Sequence, residues 1–192
     1  MNWLRVFLLC QPLLVLAADT AAPARTLEPL METLAAVDTL DAAFTERKEL
    51  TILREPLVST GILRYRAPAY LQKKILQPQQ ENYEIRDDWL SIETPEEGRR
   101  DFYLRGYPLL RAFVEPVRAI LAGDLRTLRR YYRVQLQEQA ADWLLRLEPA
   151  DKELATYVTA VVIRGQHDRL LSVETLETGG DRSLMTITSR QD

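Results

Sequence analysis

TGILRYRA, residues 60–67, is the stretch on which the reading of this chain turns. Gly61, Leu63 and Tyr65 fall on one face of an extended segment, and Ile62, Arg64 and Arg66 on the other. That two-residue period is the mark of a β-strand. Pro68 ends the run, since proline has no N–H to give to a ladder. Upstream, Phe44 to Leu53 carries a looser alternation ending in Leu50 and Ile52, broken by Glu55-Pro56. Downstream, Tyr70 to Leu76 is closed by Pro78. Tyr83-Glu84-Ile85 and Leu90-Ser91-Ile92 flank Asp87-Asp88, a hairpin turn, and Phe102 to Leu104 adds a short strand.

The period then changes. Leu109, Leu110, Phe113, Val117, Ile120 and Leu121 recur at helical spacing between Pro108 and Ala122. Pro116 lies inside this segment and predicts a kink or two short helices. Gly123 is a natural C-cap, and Asp124 caps a further helix over Leu125 to Tyr132. Strands resume over Arg133–Gln137, Trp143–Leu147, Tyr157–Arg164, Leu170–Thr175 and Leu184–Thr188, with turns at Gly165-Gln166-His167-Asp168 and Gly179-Gly180-Asp181. Ahead of all this, Leu27, Leu30, Met31, Leu34, Val37, Leu40 and Phe44 give Thr26 to Ala43 a helical pattern. Thr26 is the expected cap, and Pro29 is tolerated within a first turn.

The order is therefore one helix, about five strands, a helical insertion and about five strands. This predicts a mainly β, α+β domain over residues 26–190: an unclosed, strongly curved antiparallel half-barrel. Both helical pieces carry apolar stripes with no helix bundle to receive them. The economical place for them is the mouth of the half-barrel, as a lid over an apolar cavity.

Composition narrows the function. Apolar residues make up 46% of the chain and charged residues 28%, the balance of an ordinary globular protein. The net charge is −3 and falls to about −4 if Arg5 is lost with a leader. No basic excess favours nucleic acid; the Arg129-Arg130-Tyr131-Tyr132-Arg133 run reads as a solvated helix face leading into a strand. One histidine, His167, sits in a turn and cannot by itself build a metal site. No nucleophile elbow, phosphate-cradling glycine loop or His-Glu-x-x-His is present. The acid pairs Asp87-Asp88 and Glu96-Glu97 read as solvated, and Trp89 and Trp143 as core and rim residues rather than a sugar platform. We expect no catalytic residue, no metal and no cofactor.

Residues 1–17, MNWLRVFLLCQPLLVLA, carry Arg5, an apolar run from Val6 to Leu16, and small residues at Ala17 and Ala18. This is the layout of a secretory signal peptide, cut after Ala17 or Ala18, and the run is too short to span a bilayer, which takes about 20 apolar residues. Residues 19–25, DTAAPAR, form a flexible lead-in. Cys10 is the only cysteine, so the exported chain has no thiol and no disulfide to hold it. A core built from about 175 residues has to suffice.

Several stretches in series resemble the outer-membrane lipoprotein carrier family of bacterial periplasmic proteins. They are Phe44-Thr45-Glu46, Ser59 to Pro68, Pro78, Tyr83-Glu84-Ile85, Leu90-Ser91-Ile92, Pro108-Leu109-Leu110, Ile120 to Asp124, Trp143 to Pro149 and Gly180-Asp181. The resemblance covers nearly the whole exported chain and is that of a divergent member. It implies a soluble, monomeric periplasmic shuttle that shields acyl chains of lipoproteins, or a related lipid or polyene cargo. Such a shuttle takes its cargo from release machinery at the inner membrane and passes it to an acceptor at the outer membrane, without chemistry. It departs from the family where Glu46 stands in place of a glutamine after the Phe-Thr pair. The family also uses an early-strand arginine to pin its lid, and here Arg47 or Arg54 are the candidates.

On this reading the cavity lining is Leu63, Tyr65, Ile85, Ile92, Leu136, Trp143 and Leu145, and the lid face is Leu109, Leu110, Phe113, Val117, Ile120 and Leu121. The alternative is an envelope lipid-sensing or adaptor protein that binds a protein partner, since a related fold appears in regulators of envelope stress.

Overall fold

The computed structural model describes residues 26–189. The expected signal peptide and lead-in lie outside the described residues. Eleven strands form one antiparallel sheet: β1 (Thr39–Glu49), β2 (Leu57–Arg66), β3 (Tyr70–Gln77), β4 (Glu81–Arg86), β5 (Trp89–Thr94), β6 (Gly98–Tyr103), β7 (Tyr132–Gln139), β8 (Asp142–Pro149), β9 (Val158–Gln166), β10 (Arg169–Glu177) and β11 (Arg182–Ser189). Their order across the sheet is β6-β5-β4-β3-β2-β1-β11-β10-β9-β8-β7. The edges, β6 and β7, do not pair with each other, so the sheet is unclosed.

This order explains the cover. The chain meanders outward from β1 to β6, then meanders back from the far edge, β7, until β11 pairs with β1 at the centre. The segment joining β6 to β7 must cross the whole sheet. It does so as a short 3-10 turn (Leu104–Gly106), α2 (Pro108–Leu121) and α3 (Leu125–Tyr131). The amphipathic α2 lays apolar residues on the face it crosses. A shorter helix, α1 (Glu28–Ala35), enters beside it ahead of the central strand β1 and buries Leu30, Met31 and Leu34. A fourth, α4 (Lys152–Ala155), is one turn between β8 and β9, capped by Asp151, and has no counterpart in the sequence reading.

The opening stretch behaves as its alternation predicts. Leu63 and Tyr65 are buried on the inner face, while Arg64 and Arg66 reach Asp41 on the outer face at 3.3 and 2.6 Å. A polar ladder of Arg64, Gln72 and Asn82 continues across the outer side.

Four local expectations are corrected. The N-terminal helix ends at Ala35 rather than Ala43, and β1 begins at Thr39 rather than Phe44. Leu40 and Phe44, four apart, satisfy a helical and an alternating pattern equally, and pairing to both β2 and β11 decides for the strand. The start of α1 is Leu27, with no side-chain cap from Thr26, and Pro29 sits in the first turn. Pro116 neither splits α2 nor ends it: the helix runs through it, and the first half of the chain has six strands.

Candidate functional site

Strand register sets the inner face in rows. One row runs Leu40, Tyr65, Leu71, Ile85, Leu90 and Phe102 from β1 to β6. The next runs Ala42, Leu63, Lys73, Tyr83 and Ile92. On the other half of the sheet, Leu136, Leu145, Ile163, Val173 and Met185 lead back to Glu46 on β1. The seven expected lining residues thus share one face of the sheet.

They do not share one open space. Six of them fall into three apolar clusters, two of which are covered by helix residues, and Tyr65 is buried outside all three. Trp143 and Leu145, with Leu136 against them, are covered by Leu30, Met31 and Leu34 of α1 and by Ala119 and Ile120 of α2. Leu63 packs with Ala42, Phe44, Ile75 and Ile187. Ile85, with Ile92 and Leu110 against it, packs on Leu90, Leu104 and Val114. Val117 is half-buried. Leu109 and Phe113 lie on α2, but their side chains are outside the described residues.

A pocket of about 180 Å³ remains at the junction of cover and sheet, lined by Leu34, Val37, Leu40, Ile120, Leu121 and Leu170 among others. Sites for small ligands usually measure about 300–1,000 Å³. Where α1 and α2 lie, their own side chains cover the concave face.

Polar groups are placed on this apolar face in two positions that the sequence reading missed. At the end away from the helices, Glu46 is buried and accepts from Lys73 Nζ at 2.7 Å and from Ser183 Oγ at 2.8 Å. Burial alone would raise its carboxyl. The charge and hydrogen bond of Lys73, the charge of Lys48 and the Ser183 bond outweigh that and hold it below the ordinary carboxylate value. Next to it, burial and the bond to Glu81 push the Tyr83 hydroxyl up to about 12. The signal in the sequence was parity: Lys73 lies between Leu71 and Ile75, which alternation assigns inward.

The second position is on the cover. Arg111, Glu115 and Arg118 share one side of α2, with Arg111 Nε and Arg118 Nη1 each 3.5 Å from Glu115 Oε1. Arg118 Nη1 also donates to the backbone oxygen of Asp87 in the β4–β5 turn, at 2.8 Å. This ties the cover to the sheet from the helix side. Arg47 pairs with Glu49, and Arg54 is exposed.

His167 has the turn role expected of it. Its φ is 54°, and its backbone oxygen accepts from the Trp143 indole at 2.8 Å. Among the described residues no group of His, Cys, Asp or Glu is arranged to hold a metal, and no helix is long and apolar enough to cross a membrane.

Among curated proteins none matches this chain in sequence. Similar solved structures include a LolA superfamily protein from Nitrosomonas europaea, 12% identical over 88% of this chain and 95% of that one, with a TM-score of 0.45. A chain of the Pseudomonas aeruginosa MucA/MucB complex is 13% identical over 85% of this chain and 56% of that one, with a TM-score of 0.46. A chain from the complex of the Clostridioides difficile CwlD amidase with the GerS lipoprotein is 13% identical over 85% and 86%, with a TM-score of 0.38. Residues 19–190 match the family described as outer membrane lipoprotein carrier protein LolA-like. That match takes in nearly all of the sheet and its helical cover, and the chain belongs to the LolA-like family.

Proposed function

We propose that this protein is a periplasmic carrier that shields the acyl chains of lipoproteins, or of a related lipid cargo, and ferries them from the inner to the outer membrane. It binds and releases its cargo without catalysis. Membership of the LolA-like family supports the reading. The observation that supports it is the apolar helical cover. Apolar side chains of α1 and α2 lie on Trp143, Leu145, Ile85 and Leu90, places that acyl chains fill equally well.

The energetics suit a shuttle. Each buried methylene is worth about 0.8 kcal/mol, so ten of them contribute about 8 kcal/mol, the free energy of a micromolar complex. Lifting the cover exposes Leu30, Met31, Leu34 and Ile120, and the incoming chain covers the surface they leave. One apolar contact replaces another, and the net affinity stays low enough for release. The roughly 180 Å³ pocket between Leu34, Leu40, Ile120 and Leu170 is where the separation begins, because packing there is already incomplete.

The test is native mass spectrometry, with lipid extraction, of the protein purified from a periplasmic fraction. We expect a co-purifying acyl-bearing or polyene molecule. Protein that is empty and also fails to bind a fluorescent fatty acid overturns the carrier reading in favour of an adaptor for a protein partner. A monomeric mass is expected for the cargo-free form.

A further inference from the structure

Among the described residues three side-chain polar atoms are buried with no hydrogen-bond partner: Tyr65 Oη, Arg111 Nε and Arg118 Nε. They belong to one region. Tyr65 is completely buried near the end of β2, in the inner-face row that runs through Leu71 to Ile85, and the turn that follows Ile85 carries the Asp87 oxygen held by Arg118. Arg111 and Arg118 flank Glu115 on the same side of α2, and Arg118 is held over the β4–β5 turn by its bond to the Asp87 backbone oxygen. Arg111 Nε has only its 3.5 Å ion pair with Glu115, while Tyr65 Oη and Arg118 Nε have no hydrogen-bond partner; buried polar groups are paired almost everywhere in folded proteins, so this seam calls for an occupant.

The chemistry of the set defines that occupant. A guanidinium Nε–H only donates, and a phenol donates through its O–H. The missing partner is an acceptor. Two arginines against one glutamate leave a single positive charge in excess on α2. Asp38, the other charge acting on Tyr65, is exposed to water and weakened by it. The seam therefore suits a group with one negative charge and at least two acceptor oxygens. It also adjoins the apolar path: Tyr65 pairs across the sheet with Leu40, which lines the pocket between cover and sheet, and with Leu71 in the cluster under α2.

We infer that this seam is a head-group site, in which Tyr65, Arg111 and Arg118 bind the carboxylate or phosphodiester of an anionic amphiphile whose chain lies under the cover. The inference rests on the carrier reading and adds to it a preference for charge. An apolar groove alone takes a fatty acid and its neutral ester equally. A groove ending in these three donors does not. Binding also reaches the cover directly, because Arg118 is the residue that ties α2 to the β4–β5 turn.

The experiment compares palmitate, methyl palmitate and palmitoyl lysophosphatidylglycerol as competitors of a fluorescent fatty-acid probe on the full exported chain. For the wild type we expect palmitate or the lysophospholipid to displace the probe at concentrations about tenfold below the methyl ester. Tyr65→Phe keeps the ring and removes only the hydroxyl, and should reduce that preference to about threefold or less. Arg118→Gln should abolish it, the preference being read as the acid-to-ester ratio within each variant so that any change in cover opening common to both ligands cancels. The anion whose affinity falls more in Tyr65→Phe is the one that the site reads. Equal displacement by acid and ester in the wild type overturns the site while leaving the carrier reading in place, and this arm needs no variant to fold. A preference that survives both substitutions also overturns it. Failure to bind any of the three overturns the carrier reading and the site together.

Discussion

Lys73 Nζ lies 2.7 Å from Glu46 Oε2 on the inner face of the sheet and 5.3 Å from the ring centre of Phe44. The pair spans three strands, since Glu46 is on β1 and Lys73 on β3, with Ser59 of β2 between them. The lysine keeps a quarter of its side chain accessible while the glutamate is nearly sealed. Glu46→Gln removes the charge and leaves Lys73 over apolar neighbours. We expect a loss of about 1–3 kcal/mol at neutral pH, below the full cost of breaking a sealed pair because Lys73 can turn toward water. The Glu46 carboxyl is held below its ordinary value in the folded protein, so its contribution is intact above the unfolded pKa of about 4.3. It is lost as pH falls through the lower, folded value. Urea titrations of both proteins should therefore differ at pH 7 and 5 and converge toward pH 3. A constant difference across that range would show that Glu46 acts through packing alone.

Gly123 has a φ of 64° just past the end of α2, and it faces α1. A Cβ there would run into the backbone oxygen of Met31 and lie 2.6 Å from the Cβ of Ala35. Gly123→Ala should cost about 2–4 kcal/mol, combining left-handed strain with overpacking. The cost should appear in α1 first: amide exchange over residues 28–35 accelerates more than exchange over β1 and β2. Uniform acceleration would mean that the helix and the sheet open as one unit.

Gly165 on β9 lies under the Trp143 ring, and any Cβ there would overlap it. Gly165→Ala should displace the indole, lengthen its bond to the His167 backbone oxygen and cost about 1–3 kcal/mol. Near-ultraviolet circular dichroism should lose intensity in the tryptophan bands while the far-ultraviolet spectrum is retained. Unchanged tryptophan bands would mean that the strand shifts and the ring does not.

Asp124 accepts from the Thr127 backbone N–H at 3.0 Å and caps α3, which leads the chain into the edge strand β7. The hydrogen bonds from Thr127 hold its carboxyl below the usual range. Asp124→Ala should cost about 1 kcal/mol, or a fall in Tm of roughly 2–4 °C. The difference should be present at pH 7 and fade as pH drops below about 4, when the wild-type carboxyl itself protonates. A thermal melt at each pH measures it.

The strands after residue 56 were legible because alternation, proline stops and turn residues agree there. Asp87-Asp88 makes its hairpin, with Asp87 at φ 53°, and Gly123 and Asp124 mark a helix end and a helix start as their chemistry predicts. Val37 to Phe44 misled because Leu40 and Phe44 fit two periods, and only the presence of β2 and β11 on either side selects one. The inward direction of the seven lining residues followed from the same alternation. That helix residues would cover two of the three clusters into which six of them fall did not, because periodicity says which face is apolar and not what covers it.

By itself the sequence determined the mainly β class, the helical crossing between two sets of strands and the family. These depend on local periodicity, turn chemistry and the serial order of motifs. Tertiary structure alone decided how the helices cover the sheet, the inward Glu46–Lys73 pair and the bond of Arg118 on α2 to the Asp87 oxygen in the β4–β5 turn. Glu46 and Lys73 are 27 positions apart, and Asp87 and Arg118 are 31. Nothing local favours their contact; they meet because strand register and the crossing of α2 bring them to the same face, where low dielectric makes each charge and each unpaired donor count.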